Sequence, residues 1–121
     1  MRDLMIIDGY NIINSWQSLK NKKKVSLELA RDQLISELAY YKSIKHVDII
    51  VVFDGSSIGN KGKEEINGVR VIYSKKNQTA DSVIEKIVYE QSESNRKIFV
   101  ATSDKNEQFF VLGKGALRYS S

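Results

Sequence analysis

The stretch Leu4-Met5-Ile6-Ile7-Asp8-Gly9-Tyr10-Asn11 decides the fold, because an apolar run ends there in an acid, a glycine and an amide. Such a run predicts a strand at the centre of a parallel sheet, where both faces are covered. Asp8 then lies at the strand's carboxyl end, the edge where open α/β sheets bind ligands. Gly9 permits a sharp turn, and Asn11 adds an amide donor and acceptor. The alternative is a simple Asp-Gly turn, with Asn11 capping the next segment.

The pattern of an apolar run that ends in an aspartate recurs along the chain, which favours a ligand-binding site over a simple turn. The apolar run from Val47 to Phe53 ends in Asp54-Gly55, and the run from Lys97 to Ala101 closes with Thr102-Ser103-Asp104. Asp81 follows the predicted N-cap Thr79 and so lies in the first turn of a helix. Parallel strands deliver their carboxyl ends to one edge, where we expect the four aspartates to converge. Helix-start chemistry alone is the other explanation for Asp81.

Strands and helices alternate along the rest of the chain. This order predicts a three-layer α/β/α sandwich with a central, mostly parallel sheet. The remaining predicted elements are a helix capped by Ser26 and ending near Ile44, a strand from Val69 to Tyr73, a helix from Ala80, a short helix from Ser103 or Asp104 through Leu112, and an edge strand from Ala116 to Tyr119.

Length and composition exclude several classes of protein and of metal site. The 121 residues suffice for one domain. There is no secretory signal and no apolar run long enough for a membrane span, so the expected location is cytoplasmic. Cysteine is absent, and the single histidine, His46, precedes a strand and is predicted at the surface. Disulfides, thiolate zinc sites and histidine-based metal sites are therefore not expected.

The surface is predicted to be basic. The net charge is +4, and if four aspartates gather in one pocket, 19 basic residues face 11 remaining acids. Such a surface favours polyanions. We predict loops from Ile12 to Val25 and from Ser56 to Gly68, whose lysines could contact the phosphates of a polyanion; the plain alternative is solvated loops. The candidate phosphate-binding residues are Lys22, Lys23, Lys24, Lys61 and Lys63.

A divalent cation would remove the repulsion among the converging carboxylates. Two charges about 5 Å apart repel by roughly 3 kcal/mol at an effective dielectric near 20. Oxygen ligands without thiolate or imidazole suit Mg²⁺ or Mn²⁺, either of which can activate a water against a phosphate.

Four segments resemble the successive motifs of NYN domains, which have the PIN-like ribonuclease fold. The segments are Asp8-Gly9-Tyr10-Asn11, Val52-Phe53-Asp54, Thr79-Ala80-Asp81-Ser82 with Ile84-Glu85, and Thr102-Ser103-Asp104 with Val111-Leu112-Gly113. The branch most similar is the YacP-type proteins, which include a bacterial ribosome-associated endoribonuclease. The resemblance implies a single nuclease domain over residues 1–121. Such proteins usually continue with more C-terminal helix, so the resemblance leaves open a truncation after Ser121.

The resemblance also implies an activity, namely Mg²⁺- or Mn²⁺-dependent RNA cleavage. Asp8, Asp81 and Asp104 would be the metal ligands, while Asn11 and Asp54 would orient ligands or water. RNA is the implied partner, with the ribosome as a candidate docking surface. One alternative is a catalytically silent RNA-binding module on the same fold. Another is a receiver-type signalling domain, but that mechanism needs two adjacent acids after the first strand, and Gly9 follows Asp8.

Overall fold

The computed structural model describes residues 2–55 and 62–102, together with the backbone of Ala116–Ser120. Within these residues the strands are β1 (Leu4–Asp8), β2 (Asp48–Phe53), β3 (Lys63–Ile66), β4 (Val69–Tyr73), β5 (Ile98–Thr102) and β6 (Ala116–Ser120). The helices are α1 (Gly9–Ser15), α2 (Gln17–Val25), α3 (Leu27–Lys45) and α4 (Ala80–Gln91).

The described strands form one sheet in the order β3-β4-β2-β1-β5-β6. All neighbouring pairs are parallel except β3 and β4, which are antiparallel. β1 lies between β2 and β5, and its residues Leu4, Ile6 and Ile7 are buried. The predicted mostly parallel sheet with the opening strand near its centre is confirmed.

Apolar side chains fill both faces of the sheet, as strands that are covered on both sides require. On one face, Ile7 and Phe53 pack with residues of α1, α2 and α3, including Leu19 and Leu34. On the other face, Ile6 and other strand residues pack against α4. Two cores on opposite faces of one sheet make the predicted three-layer sandwich, which is confirmed.

The predicted loop from Ile12 to Val25 is wrong, because α1 and α2 occupy most of it. Ile12, Ile13 and Leu19 are buried in the core, and burial of these apolar side chains anchors two short helices against α3. Lysine is itself a good helix former, so the lysine-rich segment continues α2 without a break. Trp16, in extended conformation, separates the two helices.

The predicted loop from Ser56 to Gly68 is wrong in its second half, where Lys63–Ile66 forms β3 and pairs with β4. Asn67 and Gly68 both have positive φ, at 50° and 86°. An Asn-Gly pair in this conformation is the two-residue turn that joins tightly twisted antiparallel strands. The segment therefore forms a hairpin; residues 56–61 lie outside the described part.

Both predicted helix caps are confirmed. The Ser26 hydroxyl accepts a hydrogen bond from the Leu29 backbone N–H at 3.2 Å, and the Thr79 hydroxyl accepts one from the Ser82 N–H at 3.1 Å. His46 is exposed, as predicted, and ends α3 in a left-handed conformation. The predicted edge strand is confirmed as β6, whereas the predicted helix through Leu112 lies outside the described residues.

Among the described residues, the helices are too short or too polar to span a lipid bilayer.

Candidate active site

An open cavity of about 410 Å³ lies at the carboxyl edge of the parallel strands. It is bordered by residues from the end of β1, from α1, from the segment after β2 and from the start of α4. These residues are Asp8, Tyr10, Asn11, Asn14, Asp54, Thr79, Ala80 and Asp81. Three separate chain segments thus bring carboxylates to one place.

Strand geometry explains why the aspartates share a face of the sheet. Successive side chains of a strand point to opposite faces. Ile7 and Phe53 belong to the core on the α1–α3 face, so Asp8 and Asp54, each one residue further on, lie toward the opposite face. That is the face covered by α4, whose first turn supplies Asp81.

Asp8 is 7% exposed, which is unusual for a carboxylate. Its Oδ2 accepts a hydrogen bond from Asn11 Nδ2 at 3.3 Å, one turn further along α1. Although Asp8 occupies the N-cap position of α1, its side chain makes no capping hydrogen bond to the helix backbone. The carboxylate therefore does not act as a helix cap. Asn11, which the simple turn interpretation makes the cap, is the third residue of α1 and lies inside the helix.

The start of α4 holds Asp81 at the cavity. Thr79 satisfies the N–H of Ser82 and so fixes the first turn, in which Asp81 is half-buried. The partial positive charge of a helix N-terminus favours a carboxylate there. Glu85, one turn further on, is exposed and does not border the cavity.

Aromatic rings pack against one another next to the cavity. The ring of Tyr10 lies 5.0 Å from that of Phe53, and Phe53 lies 5.7 Å from Tyr73. Arg31 Nη1 donates a hydrogen bond of 3.0 Å to the Tyr10 hydroxyl. A Cβ on Gly9 would overlap the Phe53 ring. Glycine at position 9 therefore allows the strand-to-helix turn to pack directly on Phe53.

One of the predicted RNA-binding lysines reaches the cavity rim. Lys23 Nζ donates a hydrogen bond of 2.8 Å to Asn14 Oδ1, which connects the last turn of α2 to a residue of the cavity. Lys22 and Lys24 flank it in the same turn. Lys63 is exposed on β3, away from this helix, and Lys61 lies outside the described residues.

A family model for the YacP-like NYN domain matches residues 5–121. The chain belongs to this family. It is similar to the "Uncharacterized protein YacP" of Bacillus subtilis, with 43% identity over 120 residues that cover 98% of this chain and 71% of that protein.

Two crystal structures of Rae1 (YacP) from Bacillus subtilis have the same fold as this NYN domain. The W164L mutant is 42% identical, with a TM-score of 0.80, and the match covers 98% of this chain and 69% of that one. The second structure is 41% identical, with a TM-score of 0.80 and coverage of 98% and 68%. The NYN domain has a nuclease-type fold, and this membership gives no support to the receiver-type alternative.

Of the predicted site residues in this NYN domain, the structure brings four to one cavity, namely Asp8, Asn11, Asp54 and Asp81. Asp104 lies outside the described residues. Among those that are described, no three acidic or histidine side chains are grouped closely enough to hold a metal ion. The assignment of Asp8, Asp81 and Asp104 as joint metal ligands therefore stays a prediction.

Sequence reasoning missed Tyr10, Asn14 and Thr79 as residues that border the cavity. Tyr10 and Asn14 are four residues apart, and Asn11 and Asn14 are three apart, which are helical spacings that place side chains on one face. Recognising α1 would have identified them. Thr79 was recognised only as a cap.

Proposed function

We propose that this protein is a metal-dependent endoribonuclease that hydrolyses RNA, with mRNA as the main substrate. The observation that carries the proposal is the convergence of Asp8, Asn11, Asp54 and Asp81 on one cavity at the carboxyl edge of a nuclease-type fold. Placing three carboxylates beside one cavity lowers the stability of the fold, which favours a functional reason for their placement.

The chemistry of these side chains fits Mg²⁺ or Mn²⁺. The donors are carboxylate and amide oxygens, which hard divalent cations prefer. Asp8 is nearly buried, whereas Asp54 and Asp81 are half-buried beside an open cavity, so a cation with several waters and a phosphate has access to them. We assign Asp8, Asp81 and Asp104 as its ligands.

The chain's own residues would orient the Asp8 carboxylate and the attacking water. Asn11, through its hydrogen bond to Asp8, holds that carboxylate in one orientation, and Asp54 accepts a hydrogen bond from the attacking water. A bound divalent ion would supply Lewis-acid activation of water and neutralise charge on the attacked phosphate. The described part of the site contains no histidine that could serve as general acid or base.

RNA is the proposed partner because basic residues lie close to the acidic cavity. Lys23, held at Asn14, is placed to contact a phosphate next to the scissile bond, with Lys22 and Lys24 beside it. We extend the assignment to Lys61 and Lys63 on the basis of their sequence context. The ribosome is the proposed docking surface and the cytoplasm the proposed location.

The first experiment compares Asp8→Asn with Glu85→Gln. Each change removes one negative charge with little change in size, but Glu85 is exposed and away from the cavity. We expect Asp8→Asn to abolish cleavage of a labelled RNA and to leave the circular dichroism spectrum unchanged, and Glu85→Gln to retain activity. Full activity in Asp8→Asn would contradict the proposal.

The second experiment examines metal and products. Cleavage should stop in EDTA and return with Mg²⁺ or Mn²⁺, and Mn²⁺ binding measured by calorimetry should be weakened by Asp8→Asn. Attack by water predicts products with a 5′-phosphate and a 3′-hydroxyl. Cleavage that persists in EDTA, or products ending in a 2′,3′-cyclic phosphate, would refute the mechanism.

A further inference from the structure

A second cavity, of about 250 Å³, runs between the β3–β4 hairpin and α4; we call it the α4 groove. Its border carries four basic side chains, one each from β3, β4, the β4–α4 loop and α4, namely Lys63, Arg70, Lys75 and Lys86. Its floor is apolar and includes Ile72 and Val83. A basic rim above an apolar floor suits a strand of nucleic acid, whose phosphates contact the cations while riboses and bases lie on the floor.

The α4 groove lies on the same face of the sheet as the candidate active site. Arg70 and Ile72 are two residues apart on β4, so their side chains lie on the same face of the sheet. Ile72 belongs to the core under α4, and Lys63 pairs directly with Ile72, so all three side chains lie toward α4. The active-site cavity is at the first turn of this helix, and the groove follows its side. From Asp81 to Lys86 the rise along the helix is about 8 Å.

The loop from β4 to α4 joins the two cavities. Gln78 borders the groove and the next residue, Thr79, borders the active site. Lys75 and Gln78 hold each other through two hydrogen bonds, from the Lys75 N–H to Gln78 Oε1 at 3.0 Å and from the Gln78 N–H to the Lys75 carbonyl at 2.9 Å. These two hydrogen bonds fix the turn that carries Lys75, and this turn lies where the two cavities meet.

The charges of the groove are available for a ligand. Within the described ranges, the one ion pair is between Arg96 and Asp48, so none of the four groove cations has a carboxylate at ion-pair distance. Glu90 also borders the groove, and Glu65 is paired with Arg70 in the strand register. Glu65 reduces the positive charge near Arg70, and Glu90, one turn after Lys86 on α4, reduces it near Lys86. Among the described residues of the border, four cations and the single acid Glu90 still leave the groove with a positive excess.

We propose that the α4 groove binds the phosphodiester backbone of the RNA strand on one side of the scissile bond. Lys23 and its neighbours on α2 would hold the strand on the other side. The inference rests on the proposed function, since it takes RNA as substrate. A strand held on both sides would pass through the site, so that cleavage would not require a free end.

The test uses the double variant Lys75→Ala/Lys86→Ala and the matched control Lys45→Ala/Lys97→Ala, whose lysines are exposed near the opposite, amino edge of the sheet. Binding of fluorescent single-stranded RNA is measured in EDTA, with a dinucleotide, which has a single phosphodiester, and with an oligonucleotide of about 15 nucleotides, which is long enough to extend from the active site along the groove. We expect the groove variant to bind the long RNA about tenfold more weakly and to bind the dinucleotide as wild type does.

The salt dependence gives an independent readout. Loss of two phosphate contacts should reduce the slope of log affinity against log salt by about 1.4 for the long RNA. Equal weakening of long and short RNA, equal weakening in the control variant, or no weakening at all would each overturn the proposal. Failure of the proposed function is separate: if Asp8→Asn cleaves normally while the groove variant loses long RNA selectively, the groove assignment stands.

Discussion

Gly9→Ala tests how tightly the candidate site is packed on the core. Gly9 is buried between Asp8 and Tyr10, and the added methyl group would overlap the Phe53 ring. Phe53 is itself fully buried and is held between the rings of Tyr10 and Tyr73. The ring therefore has little room to move away, and the substitution overpacks the core.

The magnitude follows from two opposing effects. Overpacking a well-packed core costs about 1 to 3 kcal/mol. Alanine is favoured over glycine in a helix by about 0.5 to 1 kcal/mol, and Gly9 is the first residue of α1. With the middle of each range, the net loss should be about 1.3 kcal/mol. For 121 residues, the average unfolding entropy converts this into a decrease in Tm of roughly 5 °C.

A double-mutant cycle assigns the loss to the Phe53 contact. Unfolding in urea, followed by circular dichroism, is measured for wild type, Gly9→Ala, Phe53→Leu and the combination. Since leucine removes the ring that the new methyl group meets, Gly9→Ala should cost at least about 1 kcal/mol less in the Phe53→Leu background. A cost that is the same in both backgrounds, or a Gly9→Ala variant as stable as wild type, would refute the reasoning.

Two further predictions concern other parts of the fold. Gly68→Ala should destabilise the protein by about 1 to 2 kcal/mol, because φ at Gly68 is 86° while an added Cβ would make only ordinary van der Waals contact with the Lys42 side chain; Gly68→Asn should cost less, and equal costs in urea unfolding would contradict the turn assignment. Burial raises the pKa of the Tyr73 hydroxyl above its ordinary value of 10.0. Above that pH the unfolded chain therefore binds fewer protons than the folded chain, and stability falls. Tyr73→Phe should reduce this alkaline loss, whereas Tyr40→Phe, at an exposed position, should leave it unchanged.

The sheet and the acidic edge were predictable because their signals are local. An apolar run that ends in Asp-Gly marks both a buried strand and its carboxyl end, and this occurs at Asp8 and at Asp54. The caps Ser26 and Thr79 were also readable, since a hydroxyl residue before an apolar periodic segment has a direct physical role at a helix start. Parallel pairing then brings the acids to one edge without further information.

The elements that sequence reasoning missed depend on context. α1 and α2 are short, and a helix of this length is marginal without tertiary contacts, so the burial of Ile12 and Leu19 decides their structure. β3 is too short and polar to show a strand pattern, although Asn67-Gly68 was a hairpin signal that could have been used. The α4 groove combines Lys63, Arg70 and Lys86 from separate elements, and no single segment reveals such a set.

The candidate site and the core are built from adjacent residues of the same chain segments. Ile7 and Phe53 are buried in the core, while the residues that follow them, Asp8 and Asp54, border the cavity. A substitution that changes side-chain volume here disturbs both. Replacement of a carboxylate by the amide of nearly equal size changes the charge and leaves the packing, so only variants of that kind separate loss of chemistry from loss of fold.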